Sequence, residues 1–274
     1  MNPPNPRSLL DISPGQYAPI SVHYQGLEYP GEVVTALSWE VALGEPLQDD
    51  RFFRIVFLHN YALVDPQELQ DARIAVCVPP RSEQRREQAL DQERRVLREF
   101  RARYSVEATE DVLQETQRQL YASGNVVARA GLDIETQDVF REPSLEAWVS
   151  AIAQLLLAWT YPGLPLDSSA FPRPLGGNDL GLLFRGLVQG DAAPDVMAAI
   201  EAFAAGLGLA PADDPERGMP QECPVFQLLH SEMSQRGGSL SCAELYQRMA
   251  HVHGVPYPLI SLYLQVFLHQ GQPP

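Results

Sequence analysis

The side chains of this sequence that could bind a metal ion are histidines and cysteines in its C-terminal part. His251 and His253 form an H-x-H pair, and His230 and Cys242 precede them. Four such ligands can build a tetrahedral zinc site. On a helix, however, an H-x-H pair directs its two rings about 200° apart, and the spacing matches no standard zinc motif. We therefore predict no metal site and no cofactor, and His230, Cys242, His251 and His253 are the metal candidates that the sequence offers.

The basic side chains exclude several kinds of catalysis, because all 20 of them are arginines and the sequence contains no lysine. The P-loop lysine and the lysine Schiff base of pyridoxal enzymes are therefore absent. The sequence also lacks the G-x-S-x-G motif of nucleophilic serines. We accordingly predict no catalytic residue and expect a protein that is not an enzyme.

The charge of the chain argues against nucleic acid as a partner. The 35 acidic and 20 basic side chains give a net charge of −15, and a negative field repels phosphate backbones. Eight arginines fall between Arg81 and Arg103, but five acidic residues are interleaved with them. We interpret this run as a solvated helix face with ion pairs rather than a nucleic-acid site.

Cysteine usage and apolar run lengths bear on the location of the protein. Cys77, Cys223 and Cys242 are odd in number and far apart, which argues against disulfides and favours a reducing cytoplasm. The longest apolar stretches, 147–159 and 255–268, are too short to cross a bilayer. We expect a cytoplasmic protein that is not associated with a membrane.

After a flexible lead-in at 1–15, residues 16–140 predict an α/β sheet domain. Between 80 and 124 it has two long charged helices, or one long helix interrupted near Ser105. Two runs, 52–58 and 74–78, are almost continuously apolar, as strands covered on both faces are. Residues 124–140 are interpreted as a hairpin. Turn residues separate four expected strands at 20–24, 32–41, 51–59 and 73–78.

Residues 141–210 predict a helical region. Its first helix, at 144–160, is apolar almost all round, and we expect it to be buried. Two further helices are expected at 179–188 and 195–207, the second with Pro194 at its first position. The large apolar side chains of the first helix share one stripe: Trp148, Ile152, Leu155 and Trp159.

After a linker at 211–220, residues 221–274 predict a winged-helix-like unit of three helices that lacks its wing. The order is a helix, a short strand and two helices, and Ser241 and Glu244 form a capping box at the start of the second helix. The third helix is apolar on two sides, which favours a protein interface over the reading of base edges. We expect a protein partner or self-association through Tyr263, Leu264, Phe267 and Leu268. The elements together predict an α+β protein.

Four segments carry a family resemblance: 75–80, 155–165, 183–187 and 245–260. Together they resemble the large P-loop ATPases of bacterial BREX phage-defence systems (PglY/BrxC-like), over roughly residues 70–270. The shared features are packing motifs, and the nucleotide-binding motifs of that family are absent. The resemblance therefore implies a non-enzymatic interaction or scaffolding protein, like the region downstream of the ATPase module, either as a fragment or as a stand-alone relative. The alternative is a regulatory protein that binds DNA through its C-terminal unit.

Overall fold

The computed structural model describes residues 12–81, 99, 115, 117–139, 141, 144–209, 223–235 and 241–270. The linker predicted at 211–220 and the short strand predicted before the capping box lie outside the described residues. So does most of the lead-in and most of the charged helical region. Within that region, residues 117–122 are helical, as predicted.

The chain divides into two compact units by its internal contacts. The first comprises Met1–Val22 and Pro30–Thr160, and the second comprises His23–Tyr29 and Tyr161–Pro274. The sequence-based division begins its helical region at residue 141. The structure instead groups the helix that ends at Thr160 with the sheet, because this helix contacts the two central strands.

A five-stranded mixed sheet forms the centre of the first unit, and helices follow it, which confirms the α+β class. The strands stand side by side in the order β1-β2-β3-β4-β5. The three middle strands run parallel, and β5 pairs antiparallel with β4. Every residue of β3 and β4 is buried, as the near-continuous apolar runs predict. The bounds are β1 Tyr17–Tyr24, β2 Leu27–Ala36, β3 Arg54–Leu58, β4 Ile74–Val78 and β5 Asn125–Val127.

A buried ion pair joins β2 to β3. Glu32 and Arg54 are register partners, and Nε of Arg54 donates to Oε1 of Glu32 at 2.6 Å, with side-chain exposures of only 2% and 3%. The same guanidinium donates to the carbonyl oxygens of Glu45 and Pro46. These bonds compensate the arginine for the water that it loses on burial.

Two sequence-based expectations in the sheet region are wrong. The strand expected at 32–41 ends at Ala36, and a short helix, α1, occupies Trp39–Gly44, because Ser38 and Glu40 begin a helical turn where alternation alone predicts more strand. The hairpin expected at 124–140 has only β5, followed by a loop and by α2 at Thr136–Val139. The N–H of Val126 donates to Oγ1 of Thr136. In a hairpin, a backbone carbonyl of the second strand would accept such a bond.

The remaining helices agree with the sequence-based prediction in number and order. Pro194 begins α5, and the capping box of Ser241 and Glu244 begins α7, both as predicted. In the second unit α8 packs against α4, α6 and α7. The bounds are α3 Leu145–Thr160, α4 Gly177–Gln189, α5 Pro194–Phe203, α6 Pro224–Gln235, α7 Cys242–His251 and α8 Tyr257–Gln270.

The stripe predicted along α3 is buried only in its first half. Trp148 and Ile152 are 1% and 0% exposed, but Leu155 and Trp159 are 39% and 47% exposed. The buried face also includes Val149 and Leu156, which places its centre about 90° around the helix from Trp148. The predicted stripe therefore follows the edge of the buried face, and its second half is open to solvent.

Candidate functional site

The structure does not bring the four metal candidates together. His230 contacts the hydroxyl of Ser234 on its own helix, and Cys242 is an exposed free thiol. Nε2 of His251 lies 3.3 Å from the hydroxyl of Tyr257. Among the residues that the structure describes, no group of three or more His, Cys, Asp or Glu side chains could hold a metal ion.

His253, the fourth candidate, belongs to an ion-paired cluster that links three parts of the C-terminal helices. Glu232 on α6 accepts two bonds from Arg248 on α7 and lies 2.9 Å from Nε2 of His253, which follows α7. The Glu232 side chain is 7% exposed. Its bonds from Arg248 hold the pKa of this carboxyl below its usual range. The cluster joins α6 to α7 and to the segment that follows α7. No pattern in the sequence marks Glu232 as part of it.

The residues predicted as an interface on α8 are placed very differently from one another. Tyr263 is completely buried, and its hydroxyl donates to the carbonyl oxygen of Leu207 at 2.6 Å. Phe267 packs against Phe226 with ring centroids 5.6 Å apart. Leu264 is half-buried, whereas Leu268 is 59% exposed. Most of this face is therefore covered within the second unit, and Leu268 is its exposed member.

The two buried cysteines are poorly placed to act as nucleophiles. Cys77 and Cys223 are buried free thiols, and burial raises the pKa of both. A buried thiol with a raised pKa is a poor nucleophile, because the thiolate is the reactive form.

An exposed apolar surface of the first unit lies on the C-terminal half of α3; it is here called the α3 face and is defined by Leu155 and Trp159. These residues are one helical turn apart, so their side chains are neighbours on the surface. Leu155 and Trp159 are exposed although Trp148 and Ile152, on the same stripe nearer the start of α3, are buried. Trp159 is the one tryptophan among the exposed large apolar side chains of the described residues, and tryptophan is enriched at protein interfaces.

Local contacts fix the position of the α3 face. The hydroxyl of Ser144 accepts the N–H of Ala147 at the start of α3, as an N-cap residue does. At the other end, the hydroxyl of Thr160 reaches the carbonyl oxygen of Ala72 just before β4. Because both ends and the inner side of α3 are held, the exposed side chains project from a rigid support.

An open cavity of about 980 Å³ lies in the same unit, beside β5, and is here called the β5 cavity. Its loop is held by the N–H of Ala130, which donates to the carbonyl oxygen of Pro66. The cavity reaches the α3 face at Gly131, which stands against the Trp159 ring. It is lined by Asp65, Pro66, Gln67 and residues 122–136.

The sequence does not reveal this site, because its pattern predicts Leu155 and Trp159 to be core residues. Leu155 and Trp159 are four residues apart, and so are Trp148 and Ile152. Spacing alone therefore cannot separate the exposed half of the stripe from the buried half. The polar Gln154 next to Leu155 is a local hint in the sequence.

The described part of the chain contains no helix with both the length and the apolar composition that a bilayer crossing requires. No family model, no curated protein and no solved structure matches this chain.

Proposed function

We propose that this chain is a non-enzymatic interaction protein that binds a protein partner through the α3 face. The observation that carries the proposal is the 47% exposure of Trp159 next to the 39% exposed Leu155, on a helix whose other large apolar side chains are core. Tryptophan is enriched among the residues that dominate binding energy at protein interfaces. A partner that covers both side chains removes apolar surface from water at each of them.

The rigid support of α3 favours such binding. Trp148, Ile152 and Leu156 are buried and anchor the helix in the core of the first unit. Leu155 and Trp159 are thus held in position before a partner arrives, and little backbone order has to be gained on binding. Preorganisation of this kind increases affinity because it reduces the entropy lost on association.

The DNA-binding alternative has less support. The exposed positions of α8 include Ser261, Gln265 and His269, and none of them is an arginine. A recognition helix combines base contacts with cations that neutralise phosphates. The chain as a whole carries a net charge of −15, so a protein partner fits it better than a nucleic acid does.

We also propose kinship with the non-catalytic region of BREX-type phage-defence ATPases. Two of the four resembling segments contain Tyr161 and Gly254, and a Cβ at Gly254 would lie only 2.6 Å from Cγ of Tyr161. Close packing between resembling segments is what a shared scaffold would preserve. A cytoplasmic location suits this role and the three free thiols.

Site-specific photo-crosslinking in the source cell tests the proposed function. A photoreactive residue at Leu155 should give a discrete adduct, and the same residue at exposed Glu201 on α5 is the matched control. The mass and peptide fingerprint of the adduct distinguish a second copy of the chain from another protein. Equal adducts at both positions, or none at position 155, would contradict the proposal.

A further inference from the structure

The β5 cavity and the α3 face are continuous. A Cβ built on Gly131 would lie 3.5 Å from both Cζ2 and Cη2 of Trp159, an ordinary van der Waals distance. Gly131 also lines the cavity. A segment bound over Trp159 and Leu155 therefore needs only to pass Gly131 to enter the β5 cavity.

The charges around the β5 cavity complement a cationic segment. Three carboxylates line it, from Asp65, Asp133 and Glu135, against the single guanidinium of Arg129. Asp133 and Glu135 are exposed and flank the buried Ile134. One oxygen of Asp65 accepts the N–H of Gln67, which fixes that carboxylate at the rim. Gly131 thus belongs to both surfaces: it lines the cavity together with the carboxylates and it contacts the Trp159 ring.

We propose that the α3 face and the β5 cavity together bind one peptide segment of the partner, in which an apolar anchor is followed or preceded by arginine or lysine side chains. The anchor packs on Trp159 and Leu155, and the cationic side chains enter the cavity toward Asp133, Glu135 and Asp65. The inference rests on the proposed function and adds the chemistry of the partner to it.

The size and polarity of the cavity fit a peptide. Its volume of about 980 Å³ lies at the upper end of the range of small-molecule sites, roughly 300–1,000 Å³, but those sites are enclosed and mostly apolar. The β5 cavity is open and lined by charged side chains and loop backbone, which suits several side chains of an extended segment. An anionic ligand is disfavoured because carboxylates outnumber cations in the lining.

Selection of short random peptides displayed on phage against the immobilised full chain tests the inference. We expect enriched sequences to combine Arg or Lys with a large apolar residue, and each to be resynthesised for affinity measurement. The double variant Asp133→Arg/Glu135→Arg should bind these peptides at least about tenfold more weakly, and the same selection on it should enrich acidic peptides. Glu201→Arg reverses one exposed charge far from the cavity in sequence, which is half of the charge change in the double variant, and should leave the affinity unchanged.

The outcomes separate this inference from the proposed function. Peptides that lose affinity in Trp159→Ala but bind the Asp133→Arg/Glu135→Arg variant normally would overturn the cationic-segment inference and leave the α3 face as a binding surface. Peptides unaffected by either change would count against both. Enrichment of neutral or acidic sequences on the wild-type chain, or no enrichment, would overturn the inference. Circular dichroism of each variant confirms that a loss of affinity is not a loss of fold.

Discussion

The indole ring of Trp159 lies against Gly131, a residue whose backbone has a φ of +98°. A methyl group at Gly131 would meet the ring at an ordinary contact distance, so the glycine is required by its backbone angle rather than by lack of room. Through this contact the loop after β5 and the end of α3 form one continuous surface. The exposed ring at this junction is the centre of the proposed binding site.

The two tryptophans of α3 should differ sharply in their effect on stability. Trp148→Ala should lower the free energy of unfolding by about 3–5 kcal/mol, because it leaves a large cavity in the core. Trp159→Ala removes a half-exposed ring and should lower the free energy by less than about 1 kcal/mol. Urea unfolding of both variants at one temperature makes the comparison. Similar losses for the two variants would show that Trp159 is a core residue after all.

The buried pair of Glu32 and Arg54 should be sensitive to the loss of one partner. Glu32→Ala leaves the guanidinium of Arg54 in the core without its carboxylate and should lower the free energy of unfolding by about 3–5 kcal/mol. The matched control is Glu115→Ala, which breaks the exposed pair with Arg118 and should lower the free energy by less than about 1 kcal/mol. If the two variants are equally stable, the Glu32–Arg54 pair does not hold the sheet as described.

Gly254 should tolerate alanine much less well than Gly190 does. Both have a positive φ, +74° and +70°, but only at Gly254 would the added Cβ collide with a buried side chain, that of Tyr161. Gly190→Ala should cost about 1–2 kcal/mol from backbone strain alone. Gly254→Ala adds about 1–3 kcal/mol for the overpacked contact. Thermal unfolding of the two variants measures the difference, and equal melting temperatures would contradict the packing of Tyr161 on Gly254.

The stability of the C-terminal helices should fall in acid because of Glu232. Its pKa is lowered in the folded state by the bonds from Arg248, and those from His253 act in the same direction. A group of this kind contributes stability above its unfolded pKa of about 4.3, and the contribution is lost as the pH falls through the lower folded-state pKa. Glu232→Gln replaces the titrating carboxyl by an amide of nearly the same shape.

The measurement is the difference in unfolding free energy between the wild type and Glu232→Gln as the pH is lowered. We expect the wild type to be the more stable near neutral pH, and the difference to shrink as Glu232 becomes protonated. A difference that stays constant through this acid range would mean that Glu232 is not held in its charged form by Arg248.

The sequence predicts the sheet and most helices because their signals are local. The apolar runs at 52–58 and 74–78 are long enough to mark central strands, and Pro194 and Ser241 mark helix starts by their own chemistry. The hairpin prediction fails because a hydrogen bond links Val126 to Thr136, ten positions away. No local sequence pattern indicates this bond.

The candidate site could not be predicted from the sequence for a different reason. Leu155 and Trp159 have the composition and spacing of core residues, and only tertiary packing decides how far along the stripe the helix is covered. Likewise, Tyr263 has the composition of an interface residue but is buried by other helices of its own unit. Burial is a property of tertiary packing, so periodicity identifies apolar faces without telling which of them are covered.

The affinity of the protein captured at position 155 for three forms of this chain tests the binding role of the α3 face most directly. Titration calorimetry with wild type, Trp159→Phe and Trp159→Ala should give a graded loss. Trp159→Ala should cost at least about 2 kcal/mol, or roughly 30-fold in Kd, and Trp159→Phe should cost less. The same Kd for all three forms, with folding intact, would contradict binding through the α3 face.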